Sequence, residues 1–149
     1  MLAQVRMGAL SKVSRLSPSD YWLVTRAFLA VGAAWGAVRW FPPAVVLKKV
    51  SAQIPLRARH KPQTTARIAR AVAAAARYMP ASKCLVQAIA GRNLLASCGF
   101  SAEIRIGVAK HANNWLTAHA WVEVEGRTLI GGNASGYAPL TGTRQEYRP

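Results

Sequence analysis

Cysteine is nearly absent from this chain of 149 residues, which has only Cys84 and Cys98. Two thiols cannot build the disulfide framework of a small secreted scaffold. Both fall on one helical pattern, which at about 1.5 Å rise per residue sets them roughly 20 Å apart, beyond the ~7 Å that a disulfide spans. They are expected as free thiols in a reducing, cytoplasmic compartment. Acidic residues are scarce too, 5 against 20 Lys and Arg, for a net charge of +15. Ahead of Cys84 stand 14 basic residues and a single acid, Asp20; from Cys84 onward there are 6 basic and 4 acidic. A basic front half calls for an anionic partner, whether acidic peptide, anionic lipid or nucleic acid. No long hydrophobic run is present either. Residues 27–38 are almost wholly apolar, but Arg26 and Arg39 bracket these 12, where a spanning helix needs about 20. The run also lies too far from residue 1 for a signal peptide. It is expected as a soluble or interface-lying helix that packs on the rest of the chain, with peripheral membrane contact as the lesser alternative. Repeats and low-complexity tracts are missing, and a hydrophobic fraction of 52% argues against disorder.

What is present reads as helices followed by strands. Residues 1–16 carry no clear pattern. Ser17-Pro18-Ser19-Asp20 is a helix start with a Ser cap, Pro at the first helical position and an acid three residues after the cap. That helix should run to Trp40, stopped by Pro42-Pro43. A short apolar helix over 44–52 and a basic linker around 57–61 follow. The next helix starts at Thr64 or Thr65 and runs to Met79, burying Ile68, Val72 and Ala75 or Ala76 while Arg67, Arg70 and Arg77 face away. Ser82 caps a helix from Lys83 to Cys98, with Gly99 as its left-handed terminator. The period then changes from 3.6 to 2. Strands are expected over 102–109, 115–124 and 127–130, the last two joined at Glu125-Gly126. The fold class is α+β: N-terminal helices, then a small antiparallel sheet. Residues 1–63 read as a basic helical extension and 64–149 as the core, the two forming one compact unit.

Cys84 in the first helical turn and His119 in a strand, 35 residues later, are the pair that carries chemistry. A thiol is a good nucleophile only as thiolate, which free helix N–H groups and an imidazole both favour. Lys83 adds a positive neighbour. His119 would act as base and then acid, Trp121 would shield the pair, and the Cys84 backbone N–H is a candidate oxyanion donor. Taken singly, a cysteine in an apolar helix is more often a small buried hydrophobe, and a strand histidine more often structural. Cys98 is read as structural, His60 as solvated in its basic run and His111 as a weaker base in a turn. No cofactor and no metal is expected.

The ordered set Cys84-Leu85-Val86-Gln87-Ala88, Gly91-Arg92-Asn93-Leu94-Leu95, Ile104-Arg105-Ile106-Gly107-Val108 and Ala118-His119-Ala120-Trp121-Val122-Glu123 resembles the lasso-peptide maturation proteases. These are the transglutaminase-like B2 leader peptidases, similar to the C-terminal part of the microcin J25 processing protein. The resemblance covers roughly residues 64–140 and implies a transglutaminase- or papain-like cysteine protease core with a Cys-His-Asp triad. Cys84 and His119 match, but no Asp follows His119. With the turn at Glu125-Gly126, a straight hairpin register sets His119 near Gly132, so the nearest polar side chain is Asn133, and an amide can orient an imidazole. Glu123, about 13 Å along the strand, is a poor orienter.

The function implied is a cysteine endopeptidase that removes the leader from a lasso-peptide precursor. Its implied partners are the precursor leader peptide, a separate leader-recognition (B1) protein and the lasso cyclase. A second reading is transglutaminase-like acyl transfer. A third, a non-catalytic basic binding module, is disfavoured for nucleic acid because no helix-turn-helix or RNA-binding aromatic motif is present.

Overall fold

The computed structural model describes residues 17–51, 63–79 and 84–140. The first 16 residues, the basic stretch 57–61, and Ser82 with Lys83 lie outside the described residues. The described residues form helices α1 (Pro18–Trp40), α2 (Pro43–Ser51), α3 (Gln63–Ala76) and α4 (Cys84–Ser97), then strands β1 (Ala102–Lys110), β2 (Leu116–Val124), β3 (Arg127–Ile130) and β4 (Ala138–Pro139). The fold is α+β, as the change of period predicts.

Local chemistry sets the helix ends. Ser17 is extended ahead of α1, and its backbone N–H donates to Asp20 Oδ2 at 3.0 Å, one arm of a capping box. At the other end Phe41 N–H bonds the Ala37 carbonyl at 2.9 Å before Pro42 and Pro43 end the helix. The helix α3 stops at Ala76, three residues short of the expected Met79, because its last turn tightens. Arg77, Tyr78 and Met79 each bond a carbonyl three residues back instead of four. Gly99 is left-handed (φ 86°) and terminates α4. Phe100 N–H reaches the Leu95 carbonyl and Gly99 N–H the Ala96 carbonyl, both at 2.9 Å, which satisfies the last turn.

The helix α4 is buried on nearly every side, through Val86, Ala88, Ile89, Ala90, Gly91, Leu94 and Leu95. It lies against α1 and α3 on one side and against β1, β2 and β3 on the other. Small residues make this possible. A Cβ on Gly91 would collide with Ile130 Cδ1, so the bare backbone admits the β3 side chain. On α1, Ala27, Val31 and Ala34 are the buried positions and join the same hydrophobic cluster as Ile68, Leu95 and Val122. The basic N-terminal part therefore shares a core with the rest of the chain.

The sheet order is β3-β2-β1-β4, all antiparallel. The β1–β2 register pairs Ile104 with Val122 and Ile106 with Ala120, facing the core. It pairs Glu103 with Glu123, Arg105 with Trp121, and Gly107 with His119 on the alternate positions. The β2–β3 hairpin turns at Glu125-Gly126, both with positive φ. Its register then slips: Glu123 faces Thr128 but Val122 faces Ile130, leaving Leu129 as the extra residue of a bulge.

Asp20 also ties α1 to α3 through an ion pair with Arg67. The Arg67 guanidinium, helped by the Ser17 backbone and hydroxyl, holds the Asp20 carboxyl below its ordinary pKa. A depressed carboxyl contributes stability above its unfolded pKa and loses it as pH falls through the folded value. Asp20→Asn should therefore lower the melting temperature by at most a few degrees at neutral pH, as expected for an exposed pair. The two proteins should converge as the pH drops below about 4, a comparison that thermal melts across pH can make.

Candidate active site

Cys84 is the first residue of α4, and His119 stands near the middle of β2. Both line one cleft of about 350 Å³, whose walls also include Ala69 and Ala73 of α3, Gln87 of α4, and Leu129, Ile130, Gly131 and Gly132. Two consecutive strand residues, Leu129 and Ile130, reach the same cleft because the bulge interrupts the alternation of β3. Gly131 and Gly132 follow with positive φ (107° and 69°) and present no side chain where the imidazole enters. Cys84 and His119 are both partly exposed, and no hydrogen bond joins them. In unliganded sites such bonds are often long and tighten only around substrate.

The His119 ring is fixed from three directions. Its Nε2–H donates to the Gly131 carbonyl at 2.5 Å. A carbonyl only accepts, so this bond selects the Nε2–H tautomer and leaves Nδ1 with the free lone pair. Trp121 stacks on the ring at 6.1 Å between centroids and 21° between planes. Tyr137, from the segment before β4, packs on it at 5.0 Å. Trp121 is itself held: its indole N–H donates to Glu123 Oε1 at 2.8 Å, and Glu123 Oε2 accepts from Arg105 Nε at 3.1 Å. Arg105 also pairs with Glu103 at 3.1 Å. Glu123 is thus no orienter of His119 but a holder of its neighbour.

Glycine makes this close approach possible. Gly107 lies opposite His119, and a Cβ there would sit 2.9 Å from both Trp121 and Tyr137. A Cβ on Gly131 would come within 2.6 Å of Trp121 Cβ and 2.8 Å of its Cα.

The expectation for Asn133 needs correction. Its Oδ1 accepts from Ser135 N–H at 2.9 Å in a local turn, and the residue is not in the cleft wall. The group that orients His119 is the Gly131 backbone carbonyl. The strand β3 ends at Ile130 and the left-handed Gly131-Gly132 turn takes the chain out of the ladder before Asn133, and a carbonyl carries no side-chain signature. A Gly-Gly pair directly after a strand was the available signal of a close backbone approach. Gln87, one helical turn from Cys84 and on its face, was readable from the three-residue spacing. Tyr137 was not readable. His111 bonds Thr117 Oγ1 at 2.7 Å in the β1–β2 connection, away from the cleft, and Cys98 packs against the core at the far end of α4.

Residues 27–142 match the family model of the transglutaminase-like superfamily, well over half of the chain, and the chain belongs to that superfamily. Its members are usually cysteine-dependent enzymes, and a cysteine at the start of a helix beside a strand histidine agrees with that class. Compared with curated proteins and with solved structures, the chain has no match.

Gly131→Ala should cost about 2–4 kcal/mol, combining positive-φ strain with the clash on Trp121. Urea denaturation measures that loss. Asn133→Ala should lie within about 0.5 kcal/mol of the parent, as for most exposed substitutions.

Proposed function

We propose that this chain is a cysteine endopeptidase that removes the leader peptide from a lasso-peptide precursor. The observation that carries the reading is the shared cleft: Cys84 at a helix N-terminus and an oriented His119 line one open space. Superfamily membership and the resemblance of the Cys84 and His119 segments support it.

In this reading Nδ1 of His119 takes the Cys84 thiol proton, since Nε2 is already engaged with Gly131. The sulfur attacks the scissile carbonyl. The negative charge that develops on oxygen meets the N–H groups of the first turn of α4, which have no intrahelical acceptor. His119 then protonates the departing amine of the core peptide, leaving the leader as a thioester on Cys84. Water deprotonated by His119 hydrolyses that thioester and restores the thiol. The imidazolium forms beside a neutral carbonyl instead of a carboxylate. Its stabilisation therefore rests on the carbonyl dipole, the two flanking aromatic rings and the thiolate itself.

A basic N-terminal half suits an acidic leader, or the separate leader-recognition protein that carries it, and the released core would pass to the lasso cyclase in the cytoplasm. Digestion of a precursor, followed by mass spectrometry, tests the proposal. Cys84→Ala should fold normally and lose at least about a thousandfold in cleavage. His119→Ala should lose about a hundredfold to ten-thousandfold, whereas Asn133→Ala should cleave as the parent does. Cleavage by Cys84→Ala at the parental rate would end the proposal. A leader released as an amide to an added amine, not as a free carboxylate, would replace hydrolysis by acyl transfer.

A further inference from the structure

The helix α1 has two apolar faces, and among the described residues only one is buried. Ala27, Val31 and Ala34 turn inward. Along the opposite line, Trp22, Leu29, Ala33 and Trp40 recur at spacings of seven, four and seven residues, which stacks them on one side of a helix. Trp22 is 65% exposed, Leu29 69% and Trp40 81%, and at the α1–α2 junction Phe41 is 60% and Val45 54% exposed. Beside them a cavity of about 320 Å³ lies between α1, α2 and α4, lined in part by Ala33, Phe41, Val45 and Lys49. Such an exposed run exceeds what an ordinary soluble surface carries without a use.

The charge around this face has one sign. Arg39, Lys48 and Lys49 are exposed next to it. Asp20 is the only acid before Glu103, and it is engaged by Arg67. By length and composition alone α1 could cross a membrane. Its inner face forbids that without unfolding the domain. Arg26 donates to Ser97 of α4 at 2.7 Å, and the buried alanines and Val31 belong to the common core.

We propose that the outward face of α1 and the start of α2 dock on an anionic membrane surface. Trp22, Trp40 and Phe41 enter the headgroup layer, where amphipathic rings favour the interface. Arg39, Lys48 and Lys49 meet the lipid phosphates. A protein partner could also cover an apolar face. The combination of several indole side chains, a basic rim and the lack of free carboxylates favours lipid. The proposal is independent of the protease reading, because none of these residues lines the Cys84 cleft.

The test is co-sedimentation of the full chain with vesicles of phosphatidylcholine alone and of equal parts phosphatidylcholine and phosphatidylglycerol. Binding should be strong on the anionic vesicles, weak on the neutral ones, and reduced by salt. The triple variant W22S/W40S/F41S should bind at least about tenfold less, the equivalent of 1.4 kcal/mol, with an unchanged thermal melt because all three side chains are exposed. K48E/K49E should bind less than the parent at low salt and equal it at high salt, with an unchanged thermal melt. Equal binding of the triple variant and the parent, or no binding to the anionic vesicles, overturns the proposal. A self-association of the parent that the triple variant abolishes, without vesicle binding, assigns the face to a second copy and also overturns it.

Discussion

Burial of α4 between two layers is the constraint on which the remaining structure depends. Helices usually keep one polar face for solvent; this one gives both sides to its neighbours, α1 and α3 on one flank and three strands on the other. Such a helix needs residues that let neighbouring backbones approach, and Ala88, Ala90, Gly91 and Ala96 supply them. Cys84, at its first position, is partly buried and packs against the core. The wall facing it is anchored, because Ile130 fills the space that Gly91 leaves open.

The imidazole is held by a different kind of restraint. No carboxylate follows His119 in this chain except Glu123, Glu125 and Glu146. Of these Glu123 is committed to Trp121 and Arg105. A backbone carbonyl does the orienting. It cannot rotate away, and its direction is set by a glycine in a conformation that other residues avoid. The restraint is therefore geometric more than electrostatic. It fixes the tautomer well but lends the imidazolium less than a full charge would. The rings of Trp121 and Tyr137 pack against His119, and Gly107 leaves the room for them.

The basic, aromatic N-terminal part combines two roles that are usually separate. Its inner residues complete the core of the superfamily domain, whose match begins within α1 at residue 27. Its outer residues remain bare. Of the aromatic residues of α1, Trp22 and Trp40 lie on the outward line, Phe28 packs on the core and against Tyr78, and small residues fill the inward line. A helix read from pattern alone would be assigned one apolar side and here has two.

Local signals were enough for much of the fold. Ser17-Pro18, Pro42-Pro43 and Gly99 end helices through their own backbone restrictions, so those boundaries are readable without any neighbour. Strand alternation likewise predicts the side of the sheet that Ile104, Ile106 and Val122 take. The candidate pair was legible by residue type and order, Cys84 on a helix and His119 on a strand. Other features exist only in how separate elements meet. The bulge at Leu129 slips the hairpin register by one residue, and no local preference marks it. The Gly131 carbonyl replaces Asn133 beside His119 because β3 ends at Ile130 and the left-handed Gly131-Gly132 turn takes the chain out of the ladder before Asn133, whose amide bonds Ser135 locally. Sequence alone therefore determined the elements and the reactive residue types, since these follow from each residue's own backbone and side chain. Only the tertiary structure decided what orients the imidazole and which face of α1 stays uncovered, because both depend on which backbones approach closely enough to touch.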